Sequence, residues 1–131
     1  MQWLIDLIIE SIGVPPVFID RGDYVLNDFE NGDFTIDGNW HELDLSGIIP
    51  EGTSAVVIRC GFHCDFVSWM FKVRKAGTTS LLRTSVGIQN VAGVKNSPNP
   101  TIGVSSSRKI EYNFEPAANL AVGILVRGWF L

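Results

Sequence analysis

The chain is poor in the residues that most often carry enzyme chemistry, with two histidines, two cysteines and 18% charged residues. His41 is followed by Glu42 and Asp44, and His63 by Asp65. Adjacent residues on a strand face opposite ways, so a catalytic pair requires His41 and His63 to converge from separate strands. The sequence contains no nucleophile elbow, phosphate-cradling glycine loop or paired zinc motif, and Ser105, Ser106 and Ser107 read as turn residues ahead of a strand. The expectation is a protein that is not an enzyme and needs no cofactor. Cys60 and Cys64 invite a zinc or disulfide reading. On an alternating strand they stand ~13 Å apart with His63 turned away from both, which leaves two reduced core cysteines.

Long apolar runs are also missing. The segment Trp3 to Ile12 is about half the ~20 residues that a membrane span needs, and it contains Asp6 and Glu10. No Lys or Arg precedes Arg21, and the segment runs into Gly13, Val14, Pro15 and Pro16 where a secretory signal would have a small-residue cleavage site. This predicts a chain without a membrane span, made and kept in the cytosol unless a larger particle carries it out. Basic runs are absent as well. Arg59, Lys72, Arg74, Lys75, Arg83, Lys95, Arg108, Lys109 and Arg127 are scattered over several expected strands, which argues against a nucleic-acid partner.

What is present is 46% hydrophobic sequence in 131 residues, enough for one core and one domain. Charge divides unevenly. Residues 1–51 hold eleven acids against Arg21 alone, whereas residues 52–131 hold nine bases against three acids. Such asymmetry favours an acidic arm lying against a basic surface, on its own body, a neighbouring copy or another protein.

Three regions follow from the patterning. Residues 1–16 are expected to form a helix and a proline linker: Gln2, Asp6 and Glu10 would make a narrow polar stripe, and nearly everything else is apolar. Trp3, Ile5, Ile8 and Ile12 are the expected anchor, and Ile at successive seam positions leans toward trimers or tetramers. Whether the helix packs on its own domain or on a partner is open. Residues 17–39 read as an extended acidic arm with Asp20, Asp23, Asp28, Glu30, Asp33 and Asp37 between turn signals. Asp28, Glu30 and Asp33 miss the spacing of a calcium-binding EF-hand loop, and a solvated acidic loop is the plainer reading. Arg21-Gly22-Asp23 spells an adhesion tripeptide, but three residues recur too often by chance to outweigh an ordinary turn.

Residues 40–131 are the body. Strands are expected at Trp40–Leu45, Thr53–Asp65, Trp69–Lys75, Ser80–Ile88, Thr101–Ser105, Arg108–Phe114 and Leu120–Phe130, separated by Gly, Pro and Asn turns. The last of these places Leu120, Val122, Ile124, Val126 and Phe130 on one face, with Arg127 and Trp129 on the other. With no helical period in between, the reading is an all-β antiparallel sandwich, and about eight strands suggest a jelly-roll-like arrangement. Trp40, Trp69 and Trp129 are candidate contacts, either a sugar-stacking platform or buried core and subunit-interface residues.

The stretch Asp37-Gly38-Asn39-Trp40-His41-Glu42-Leu43-Asp44-Leu45-Ser46, then Ile49-Pro50-Glu51-Gly52-Thr53, Phe71-Lys72-Val73-Arg74-Lys75, Arg108-Lys109-Ile110-Glu111-Tyr112 and Val126-Arg127-Gly128-Trp129, resembles small β-rich virion proteins of tailed bacteriophages. Domains of this kind also occur as heads of phage fibres. The likeness covers most of residues 37–131, and Phe18 to Asp23 matches the linker often found before it. It implies a multi-copy structural role in the virion, often trimeric: a capsid decoration or cement protein, or a short fibre or tip component. Other capsid or tail proteins are then the partners. The alternative is a receptor-binding module that takes host surface glycans through aromatics or the loop from Asn90 to Pro100. The resemblance assigns no catalytic residue.

Overall fold

Strict alternation of side chains builds a nine-residue core strand. In β3, Ala55–His63, the residues Val56, Ile58, Cys60 and Phe62 are buried while their neighbours are half-exposed. The computed structural model describes residues 17–79 and 84–131. The helix expected within residues 1–16, with Trp3, Ile5, Ile8 and Ile12, lies outside the described residues, as does the Ser80 end of one expected strand.

The described residues form eight strands: β1 Phe18–Asp20, β2 His41–Asp44, β3, β4 Met70–Lys75, β5 Ser85–Ile88, β6 Thr101–Gly103, β7 Lys109–Asn113 and β8 Ala121–Phe130. They pair antiparallel into two four-stranded sheets, β1-β8-β3-β6 and β2-β7-β4-β5. The architecture is an antiparallel β-sandwich. The pairings nest about the β4–β5 hairpin: β4 with β5, β3 with β6, β2 with β7, and β1 with β8.

The core lies between the sheets. Its centre is aromatic: Phe71 and Phe114 have ring centroids 4.7 Å apart, Phe62 stacks on Phe71 at 5.7 Å, and Trp69 contacts both Phe62 and Phe114. Trp69 is 2% exposed and its indole N–H donates to the Glu115 carbonyl at 2.7 Å. This bond satisfies the one polar atom of a ring that otherwise contributes only apolar area. Cys60 and Cys64 are both buried free thiols, and burial raises the Cys60 pKa far above the ordinary thiol value.

Residues 17–39 pack along the body. Val17 and Leu131 exchange backbone hydrogen bonds, β1 pairs with the end of β8, and Phe29 bridges Ile124 further along the same strand. Phe34 is 8% exposed and meets Tyr112 and Phe114 edge-on at 5.0 and 5.1 Å. Three of the six acids in this region accept from local backbone. Asp20 accepts from Gly22 N, Asp33 from Glu30 N and Asp37 from Asn39 N. Ion pairs from the acidic to the basic half run further along the chain, Glu42 to Lys109 at 3.1 Å and Glu51 to Arg108 at 3.9 Å.

One strand departs from simple alternation. Between the Val56↔Trp129 and Ile58↔Val126 pairs, β8 carries one more residue than β3, a β-bulge at Arg127 and Gly128. The extra residue turns Trp129 inward against the core, contrary to the face expected from alternation, while Phe130 packs on Phe18 with ring centroids 5.2 Å apart.

Candidate functional site

The residues singled out for catalysis do not meet. His41 sits on β2 and His63 at the end of β3, in different sheets. The partner of His41 is Asp37, 2.8 Å from its Nε2, and this bond is the largest cause of a lowered Asp37 pKa. Among the described residues, no group of three His, Cys, Asp or Glu side chains is placed to hold a metal ion. Of the acids considered for calcium, Asp28 is paired with Arg21 and Asp33 caps a short 3-10 turn at Asn31–Asp33.

The three tryptophans also stand apart. Trp69 is in the core and Trp129 packs against it. Trp40 lies under the guanidinium of Arg74, 3.8 Å from the ring centroid, and Arg74 in turn pairs with Glu111 at 2.8 Å. No flat row of open indole faces results.

Alternation did not point to the most distinctive surface, which is a loop. Arg21 N donates to Arg127 O and Asp28 N to Ile124 O, so both ends of the 21–28 segment are fixed to β8. The Arg21 guanidinium forms a two-pronged pair with Asp28, at 2.5 and 2.8 Å, with each side chain 13% exposed. It also donates to Val126 O at 3.1 Å, while Asp28 accepts from Val126 N at 2.8 Å. The two-pronged, charge-assisted geometry makes these hydrogen bonds strong, and loss of either partner would leave the other charge largely out of water without a counter-ion. With Arg21 engaged in this way, its guanidinium is not presented as an adhesion tripeptide would require.

Above this clamp the chain exposes apolar side chains. Val25 is 85% exposed, Leu26 79% and Tyr24 54%, and the Arg21 guanidinium lies 3.9 Å from the Tyr24 ring centroid. Exposed apolar residues in sequence on a rigid loop mark a contact surface more than single scattered ones do. A Cβ at Gly123 would meet the Asn27 amide, so that side chain lies directly over this glycine.

Beside the loop runs a groove on the outer face of the β1-β8-β3-β6 sheet. Its larger part, about 820 Å³, is lined by Phe18, Val25, Val57, Leu125, Arg59 and Arg127 together with Asp20 and Asp23. A smaller part, about 230 Å³, shares Val25 and Arg59 and continues to Gly61, His63 and Lys95. Among the described residues, Arg59 and Lys95 form no ion pair, and Arg127 donates to Asn99 Oδ1 at 3.0 Å. The groove mixes apolar side chains with charges of both signs, and toward Arg59 and Lys95 its charged lining is basic.

A second apolar surface lies where β3 leads into β4. Phe66, Val67 and Met70 are exposed there, beside a cleft of about 510 Å³ that reaches Pro116 and Ala118. Met70 pairs across the strands with Ile88 of the edge strand β5, itself 47% exposed. No protein-family model matches the chain, and no curated protein matches it.

Proposed function

We propose that this chain is a structural protein of a tailed-phage virion, a capsid decoration or cement protein or a short fibre or tip component. It acts by protein-protein assembly as a homotrimer. The observation that carries the reading is the apolar Tyr24–Leu26 loop, held by the Arg21–Asp28 clamp beside the groove. A clamp that keeps apolar side chains in water has a physical purpose if they are buried against another subunit, where apolar area contributes ~25 cal/mol per Å².

The strand order adds support. The nested pairing of β4 with β5, β3 with β6, β2 with β7 and β1 with β8 fits a long hairpin rolled into two sheets, a jelly roll. Jelly rolls recur in viral capsids and in lectins, so the topology alone does not choose between a structural and a glycan-binding role. The tryptophan placements give the glycan reading no platform, whereas two apolar surfaces suit a subunit that touches sibling copies with one and a shell or tail protein with the other.

The test is light scattering coupled to size exclusion on the full chain, beside the double variant Val25→Asp/Leu26→Asp. Trimers are expected for the unsubstituted protein, with a shift to monomers for the variant, which should keep the far-ultraviolet circular dichroism of the β fold because both positions are exposed. An assembly unchanged by the two aspartates would remove the loop from the interface.

A further inference from the structure

We propose that the smaller part of the groove on the outer face of the β1-β8-β3-β6 sheet, about 230 Å³, binds a small tetrahedral oxyanion, a phosphate or sulfate group that is free or at the end of a small molecule. The site goes beyond the assembly reading and does not depend on it.

Two glycines give the site its shape. Gly61 of β3 stands opposite Gly123 of β8, with the Arg59↔Leu125 pair on one side and the His63↔Ala121 pair on the other. Residues two apart on a strand share a face, so Arg59, Gly61 and His63 follow one another along the outer face in steps of ~6.6 Å. The Gly61–Gly123 pair leaves a hollow between the Arg59 and His63 side chains. Lys95 and Asn27 close over it: Lys95 Cε lies 4.0 Å from where a Gly61 Cβ would sit, and the Asn27 amide covers Gly123.

The backbone that carries these two residues is held in place. Asn27 precedes Asp28, whose N–H donates to Ile124 O and whose carboxylate is fixed by Arg21. Lys95 lies between Val94, whose carbonyl accepts from the buried Gln89 amide at 2.7 Å, and Asn96, which exchanges backbone hydrogen bonds with Phe62. Donors hung on fixed backbone lose less freedom when a ligand arrives.

Charge and size select the ligand. Arg59, Lys95, His63 and Asn27 bring N–H donors from three segments of the chain, and no carboxylate lines this part of the groove; Asp20 and Asp23 line only the larger part. Arg59 is half-buried, yet among the described residues its guanidinium has neither an ion pair nor a side-chain hydrogen bond. A cation partly withdrawn from water is stabilised by an anion that supplies the missing acceptors. The volume is below the ~300–1,000 Å³ of sites for drug-sized molecules, which limits the occupant to a small group. Donors from several segments suit a tetrahedral oxyanion, whose oxygens point apart, better than a planar carboxylate, which a single guanidinium fork can satisfy.

The experiment is a nuclear magnetic resonance titration of the nitrogen-15-labelled full chain with inorganic phosphate, sulfate, methyl phosphate and acetate, each against sodium chloride at matched ionic strength. Phosphate and sulfate should give saturable amide shifts centred on Asn27, Gly61, His63, Lys95 and Gly123, with acetate about tenfold weaker. Arg59→Gln should raise the dissociation constant about tenfold. Gly61→Val, which fills the hollow and changes no charge, should abolish saturation while the remaining resonances keep their dispersion, and Lys72→Gln on the other sheet should leave binding unchanged. Methyl phosphate binding as tightly as phosphate would support a site for the end of a larger molecule, and weaker binding a site for the free ion. Shifts that sodium chloride reproduces, that spread to Lys72 and Lys109, that acetate matches, or that persist in Gly61→Val would overturn the proposal.

Discussion

Arg21 is the only base among the first 51 residues, and its guanidinium closes a loop. Removing its partner with Asp28→Ala leaves that guanidinium without its carboxylate and Val126 N without an acceptor. The expected cost is about 2–4 kcal/mol, read from urea unfolding, and Asp28→Asn should lose less because it keeps an oxygen toward Val126 N. Two exposed aspartates set a pH dependence. The hydrogen bond from His41 is the main cause of a lowered Asp37 pKa, and the Ser46 N–H of a lowered Asp44 pKa, both from the ordinary value of 3.8. A carboxylate with a depressed folded value stabilises the fold above its unfolded value and loses that contribution as pH falls through the folded one. The urea midpoint should therefore fall on acidification below about pH 3.8, and fall less in Asp37→Asn. These local roles were hidden in the sequence, because the acids of residues 20–37 read as a charge run until the backbone groups they accept from are placed.

Among the elements, β8 is the hinge of the account, since β1, Phe29 and both ends of the loop all pair with it. Gly128 permits the close approach of β1: a Cβ there would meet the Ile19 carbonyl oxygen and the Phe18 ring. Gly128→Ala should therefore detach β1 first, with hydrogen-exchange protection at the Val17 and Leu131 amides lost while the Cys60 amide keeps its own. Equal loss at all three would show that β1 is no separate unit. The strands of the body were legible from alternation, and β2, β3, β4, β6, β7 and β8 all fall inside their expected spans. Trp129 was misplaced because alternation assumes an unbroken period of two, and the one added residue at Arg127 and Gly128 exchanges the faces of everything after it. Trp69 shows the reverse limit. Its type left core and contact readings open, and its burial is decided by Phe62 and Phe114, which arrive from two other places in the chain.

At the scale of the whole molecule, the sandwich presents two apolar surfaces and a groove with a basic end. The groove could not be read from the sequence, because Tyr24, Val25, Arg59 and Lys95 come together only when the loop is clamped to β8 and the 94–100 segment runs beside β3. The charge asymmetry was legible, and its resolution in the fold is partial: Glu42 and Glu51 meet bases of the second half, while Arg59 and Lys95 meet no acid among the described residues. In the proposed virion role, linking several copies would make weak single contacts effectively permanent. The most direct test of this account is native mass spectrometry of the full chain across a range of concentrations. It predicts a dominant species of three chains of 14.4 kDa each, and a monomer at every concentration would contradict it.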